Sequence, residues 1–215
     1  MSNPNAQDLD WGCIVFANGH LFAKEAKLLG TEVPLAHNKV SGQELAQMIL
    51  VADWVQLAQA GAVALSITSS KLLFITTTAA AVKKIKDAAG GDITREMLAQ
   101  ITGKADKDSV KGIVYRMLAK DYPDPYGVVT NWARTELLKR GYYHTEQRGA
   151  VAQLLAGSKV IANPEALNTL APLAQTVQAG LQQFQTANAV LYKQVMNDTL
   201  GALRSRVERD TDNDN

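Results

Sequence analysis

A chain of 215 residues with 47% hydrophobic residues has enough apolar material to bury a core, which excludes wholesale disorder. Its 22 basic and 21 acidic residues nearly cancel, so no global field draws it to nucleic acid or an anionic surface, and any such binding must come from a local patch. Cys13 is the only cysteine, which excludes an intrachain disulfide and a multi-cysteine zinc site and fits a reducing compartment.

Residues 1–10 are polar and carry Asp8 and Asp10 without a Lys or Arg, unlike a secretory n-region, and the pair reads as solvated terminal charge. The longest apolar stretch, Met48 to Ile67, holds Asp53, two glutamines and Gly61 and splits into two periodicities, so no membrane span is expected. A soluble, cytoplasmic chain follows as the expectation, with peripheral membrane contact left open.

Cys13 to Ala17 followed by Asn18-Gly19 and His20-Leu21-Phe22 predicts a β-hairpin over about 12–24, because Asn-Gly suits the two positive-φ positions of a type I′ turn. His20 then sits on a surface strand. Ser41 and Glu44 form the pattern of a capping box, and the helix that follows carries apolar residues on nearly every face, as a central helix would. Gly61 offers a left-handed end cap. Val63, Leu65 and Ile67 alternate as a strand, Thr68 to Lys71 read as a turn, and Leu72 to Thr77 returns as the second strand.

From Ala79 to about Ala89 the pattern predicts a helix stopped by Gly90-Gly91, and Asp92 or Thr94 can cap a short helix through Ile101. Val110, Ile113, Val114, Met117 and Leu118 make an amphipathic stripe. Pro123 and Pro125 impose an extended break before a helix over Val128 to Arg140, with Gly141 past its end and a short strand at Tyr142 to Thr145. Helix, glycine, strand thus occurs twice, around Gly61 and Gly141. Asn163-Pro164 starts a helix and Pro172 restarts one. From Pro172 the apolar stripe continues to Val207, predicting a helix of about 35 residues, roughly 50 Å long. It either folds back on the core or serves as a dimerisation arm. Glu208 to Asn215 has no apolar anchor and reads as a disordered acidic tail.

The expected fold is therefore mainly α (α+β): a helical core with two or three small hairpins and a long C-terminal helix. Its expected parts are a compact domain over 1–157, a helical segment over 158–207 and the tail over 208–215. No phosphate-binding loop, dinucleotide fingerprint, zinc-protease motif or nucleophile elbow occurs, and His20, His37 and His144 each lack a neighbouring acid. No catalytic residue, metal ligand or cofactor is assigned. Cys13, Trp11, Trp54 and Trp132 read as core. The one charge bias lies at 104–148, where Lys104, Lys107, Lys111, Arg116, Lys120, Arg134, Lys139, Arg140 and Arg148 outnumber six acids. Arg134, Lys139, Arg140 and Arg148 are the candidate ligands for an anionic group.

Three stretches resemble, in order and apolar pattern, the Golgi phosphoprotein 3 family. They are Gly12 to Phe22, Met48 to Leu65 leading into Lys71 to Thr76, and Trp132 to Tyr143. The resemblance implies a mostly helical fold and, from the family's eukaryotic members, an adaptor that docks on phosphoinositide-bearing membranes. No family binding residue is carried over, because the loops that hold them have no counterpart here. The leading expectation is a non-enzymatic binding or adaptor protein at an anionic membrane surface or on a protein partner. The rival is a winged-helix DNA-binding regulator using Arg134 to Arg148.

Overall fold

The structure, a computed structural model, describes residues 9–27, 30–36, 38–72, 75–118, 123–146 and 159–212. Its centre is α2 (Gly42–Gln59), in which Leu45, Ile49, Leu50, Trp54 and Val55 are all fully buried. Apolar side chains at every angular position leave no face fit for water, so neighbours must cover the helix all round. They are α1 (Trp11–Ala17), α5 (Pro125–Lys139), α7 (Leu173–Ala187) and α8 (Ala189–Asp212). The start of α2 uses half of the expected capping box. Ser41 Oγ accepts the Glu44 N–H at 3.3 Å, but the Glu44 carboxylate turns away to the amide of Lys24 at 2.9 Å and its ammonium at 3.2 Å. The Ser41 N–H, left by Glu44, donates to the Lys24 carbonyl at 2.8 Å.

The expected opening hairpin is instead α1 and a 3₁₀ turn, Gly19–Leu21. A run of five apolar residues fits a buried strand or a short buried helix equally, and distant groups decide between them. The first-turn amides of Trp11 and Gly12 find Gln56 Oε1 at 2.7 Å and Asp53 Oδ1 at 2.6 Å, both on α2. Asn18 has φ −107°, outside the positive-φ region of a type I′ turn, and donates through its side chain to the Ile14 and Leu170 carbonyls. His20 accordingly lies on an exposed turn, not on a strand.

β1 (Thr31–Glu32) and β2 (Lys39–Val40) make a minimal pair. The main hairpin is longer than the sequence suggests: β3 (Val63–Leu72) pairs antiparallel with β4 (Ile75–Lys84), so Thr68 to Lys71, expected as a turn, belong to β3. The helix expected from Ala79 does not form. Alanines favour helix only as a weak prior, and here β4 finds acceptors along its outer edge. The Ala80 N–H donates to Asp198 Oδ2 at 2.7 Å, the Val82 N–H to the Asp108 carbonyl at 2.8 Å, and the Thr78 carbonyl accepts Gln194 Nε2 at 3.1 Å.

α3 (Asp92–Ala99) and α4 (Val110–Met117) follow, and α4 buries the expected stripe. α5 opens with Asp124 as its cap and Pro125 in its first turn. β5 (Tyr143–Glu146) pairs with β6 (Lys159–Ala162), after which α6 (Pro164–Asn168) starts beyond Asn163 as expected.

The single long C-terminal helix is two helices. Asn188 breaks it at φ −154° and ψ 81°, and its side chain caps α8 by accepting the Leu191 N–H at 3.0 Å. α8 then lies against α2, α4 and β4, burying Leu191, Val195, Ala202 and Leu203. It reaches Asp212, past Val207, where the apolar pattern ends.

The two helix–glycine–strand units close in the same way. Gly61 (φ 65°) and Gly141 (φ 81°) donate to Ala58 and Leu138, and the next residues, Ala62 and Tyr142, donate to Leu57 and Leu137. That pair of bonds is a Schellman motif. In each unit the residue leaving the second strand, Ile85 or Asn163, donates back to Ala62 or Tyr142.

Candidate functional site

The cations expected to form an anion site lie on α5 and its end, and most are engaged. Arg134 lies over the Phe16 ring, 5.6 Å from its centroid. Lys139 pairs with Asp92, which holds that carboxyl below its ordinary range and raises the lysine. This pair is exposed and worth little, so Lys139 can be drawn away. Arg140 is different. Its Nε donates to Glu136 Oε1 at 2.7 Å, and the Glu136 side chain is only 5% exposed, so removing Arg140 would strand a buried charge. Arg148 lies outside the described residues, as do Asp8 and His37.

Behind Arg140 lies a buried polar cluster, of which sequence reading assigned one member, Asp10, to solvent. Asp10 is fully buried and caps α3 from a distance of more than eighty residues in the chain. Its Oδ1 accepts the Gly91 N–H at 2.7 Å and the Thr94 hydroxyl at 2.6 Å, and its Oδ2 accepts the Ile93 and Thr94 amides, both at 3.2 Å. α3 has no local side-chain cap, so Asp10 supplies both the hydrogen bonds and the negative charge its N-terminus favours. Asp53 is also fully buried, with Oδ1 on the Gly12 N–H and Oδ2 without a hydrogen-bond partner. Burial, then the nearby Asp10 charge, pushes its carboxyl well above the usual range. Burial and the same acids push the Cys13 thiol up too, which makes it a poor nucleophile and leaves it the small core residue expected. Among the described residues no group of His, Cys, Asp or Glu has metal-site geometry.

An accessible concavity lies elsewhere. A cleft of about 710 Å³ lies between the β3–β4 hairpin and the 101–108 loop. Ser66, Thr68, Ala81 and Lys83 line one side, with Lys84 along the β4 edge; Ile101, Thr102, Gly103 and Ala105 line the other. Asp108 organises the loop. Its Oδ1 accepts the Thr102 N–H at 2.9 Å, the Thr102 hydroxyl at 3.0 Å and Arg116 at 3.2 Å, and its Oδ2 accepts the Gly103 N–H at 2.6 Å. Burial opposes ionisation of Asp108, but the Thr102 and Gly103 donors and Arg116 hold its carboxyl below the ordinary value.

Beside the cleft, β4 runs out as Lys83-Lys84-Ile85-Lys86. All four residues are exposed, and Ile85, at 56%, is among the most exposed large apolar side chains described. Lys84 reaches Asp87 at 2.7 Å, an exposed pair of small worth. Sequence reading missed this patch because it placed these residues on a helix, where four residues in series spread around the axis and form no single face.

No family model, curated protein or solved structure matches the chain.

Proposed function

We infer that the chain is a non-enzymatic docking or adaptor protein that binds reversibly to an anionic membrane surface through the end of β4. The observation that carries this is Ile85, exposed in sequence between Lys83, Lys84 and Lys86, of which Lys84 pairs with the exposed Asp87. An apolar side chain ringed by ammonium groups suits the boundary between headgroups and acyl chains, with each lysine near such a surface worth about 1 kcal/mol. Three lysines and one isoleucine give a weak, salt-sensitive contact of a few kcal/mol. Arg140 takes no part, because it neutralises Glu136. Among the described residues no helix is long and apolar enough to cross a membrane, so contact of this kind is peripheral.

The test is flotation with neutral and phosphatidylserine-containing vesicles at low and high salt, with duplex DNA as competitor. Flotation on anionic vesicles alone is expected, lost at high salt and lost in the triple variant K83E/K84E/K86E, with I85S weakening it at low salt. Equal flotation of parent and triple variant would overturn the assignment. Displacement by DNA would favour the winged-helix reading instead.

A further inference from the structure

The lysine patch alone selects charge, not a particular molecule, whereas the cleft beside it has shape. A volume of about 710 Å³ is that of a small-molecule site and much larger than a bare ion needs. Its two sides differ in chemistry. Cross-strand pairing places Ser66 opposite Ala81 and Ala64 opposite Lys83, so Ser66, Thr68, Ala81 and Lys83 share one pleat face of the hairpin. That face offers two hydroxyls and an ammonium, and Lys84 adds a second cation at the rim. The facing loop presents Ile101 and Ala105. Its one carboxylate in the lining, Asp108, is saturated by Thr102, Gly103 and Arg116 and has little capacity left to hold a cation. A cleft with Lys83 on its wall, Lys84 at its rim beside Asp87, two hydroxyls and a spent carboxylate, facing Ile101 and Ala105, suits an anion of more than one charge attached to an apolar group.

We propose that this cleft binds a phosphate monoester: Lys83 faces the phosphate with Lys84 at the rim, Ser66 donates to its oxygens, Thr68 joins it by turning its hydroxyl from the Ala79 carbonyl 3.4 Å away, and Ile101 and Ala105 contact the organic part. The proposal rests on the reading of the β4 end as the anion-facing side of the molecule. The ester is either a soluble metabolite or the headgroup of a lipid in the surface being docked. Recognition by ammonium point charges and hydroxyls is common to both sources.

Calorimetric titration of the full chain with phenyl phosphate tests it, against benzenesulfonate as a monoanion of similar shape and inorganic phosphate as the anion without the ring. Phenyl phosphate is expected to bind about ten-fold tighter than either. K83S should weaken it about ten-fold, and A81W, which fills the cleft without changing charge, should abolish it. Flotation of A81W on phosphatidylserine vesicles should match the parent within about two-fold, since the patch is untouched. Stronger flotation of the parent on phosphatidic acid than on phosphatidylserine at matched charge, lost in A81W, assigns the ester to a lipid; equal flotation assigns it to a soluble molecule. No binding of phenyl phosphate, equal binding of benzenesulfonate, or an affinity indifferent to K83S and A81W overturns the cleft. If vesicle binding persists in that case, the docking reading survives. If phenyl phosphate binds while no vesicle does, the docking reading falls and the cleft stands.

Discussion

Replacing Asp53 by Asn tests whether the core holds a protonated acid. Asp53 is fully buried on α2, with the Asp10 carboxylate before α1 and the Cys13 thiol on α1 as titratable neighbours. Burial and Asp10 raise its folded-state pKa well above 3.8, and the Gly12 amide only partly opposes them. The sign follows. At low pH the carboxyl is protonated in both states and pH has no effect through it. As pH rises above 3.8 the unfolded chain releases the proton and the folded chain keeps it, so stability falls with pH until the folded carboxyl ionises. One proton retained on folding corresponds to about 1.4 kcal/mol per pH unit. Asn keeps an oxygen for the Gly12 N–H and cannot titrate. Its new amide has no acceptor at the Oδ2 position, so D53N carries an offset of about 1 to 3 kcal/mol that is independent of pH. Denaturant unfolding at pH 5, 6, 7 and 8 separates the two effects. The stability of D53N relative to the parent should rise by about 1.4 kcal/mol per unit over the part of this range below the folded pKa, whatever its starting value. Parallel curves for the two proteins would mean that Asp53 is ionised in the fold and that its burial has been misjudged.

Other changes should act through single contacts. Asp10→Ala removes four hydrogen bonds from the start of α3, and a loss of at least about 2 kcal/mol is expected by denaturant unfolding, with faster amide exchange at Ile93 and Thr94. Gly61→Ala and Gly141→Ala each force a side chain into left-handed backbone and should cost about 1 to 2 kcal/mol apiece, additively, in thermal or denaturant melts. A Cβ at Gly180 would overlap the six-membered ring of Trp11, so Gly180→Ala should destabilise by about 1 to 3 kcal/mol, with a smaller loss when made in a Trp11→Ala background. Asn188→Leu removes the cap of α8 and should cost about 1 kcal/mol while raising helical ellipticity if the two helices fuse.

Elements whose signals are local were legible from residues alone. Ser41 starts α2, the Schellman glycines end α2 and α5, Asn163 starts α6, and the α4 stripe is buried as its spacing demands. The misread segments share one cause: their local preference was weak or ambiguous, and a partner remote in sequence decided it. Asp53 and Gln56 turn residues 11–17 into a helix, and Asp108, Asp198 and Gln194 turn the alanines of β4 into a strand. For the site, the sequence marked an excess of cations at 104–148 but could not show that Arg140 answers a buried Glu136 while Lys83, Lys84 and Lys86 remain exposed.

Composition, capping chemistry and periodicity by themselves determined a mainly helical chain around one apolar central helix, because those forces act within a few turns of backbone. Tertiary structure alone decided which acids are buried, where the last helix breaks and which lysines border a cleft. Burial and charge pairing depend on residues that meet only after folding, such as Asp10 with Gly91 and Glu136 beside Gly91 and Arg140.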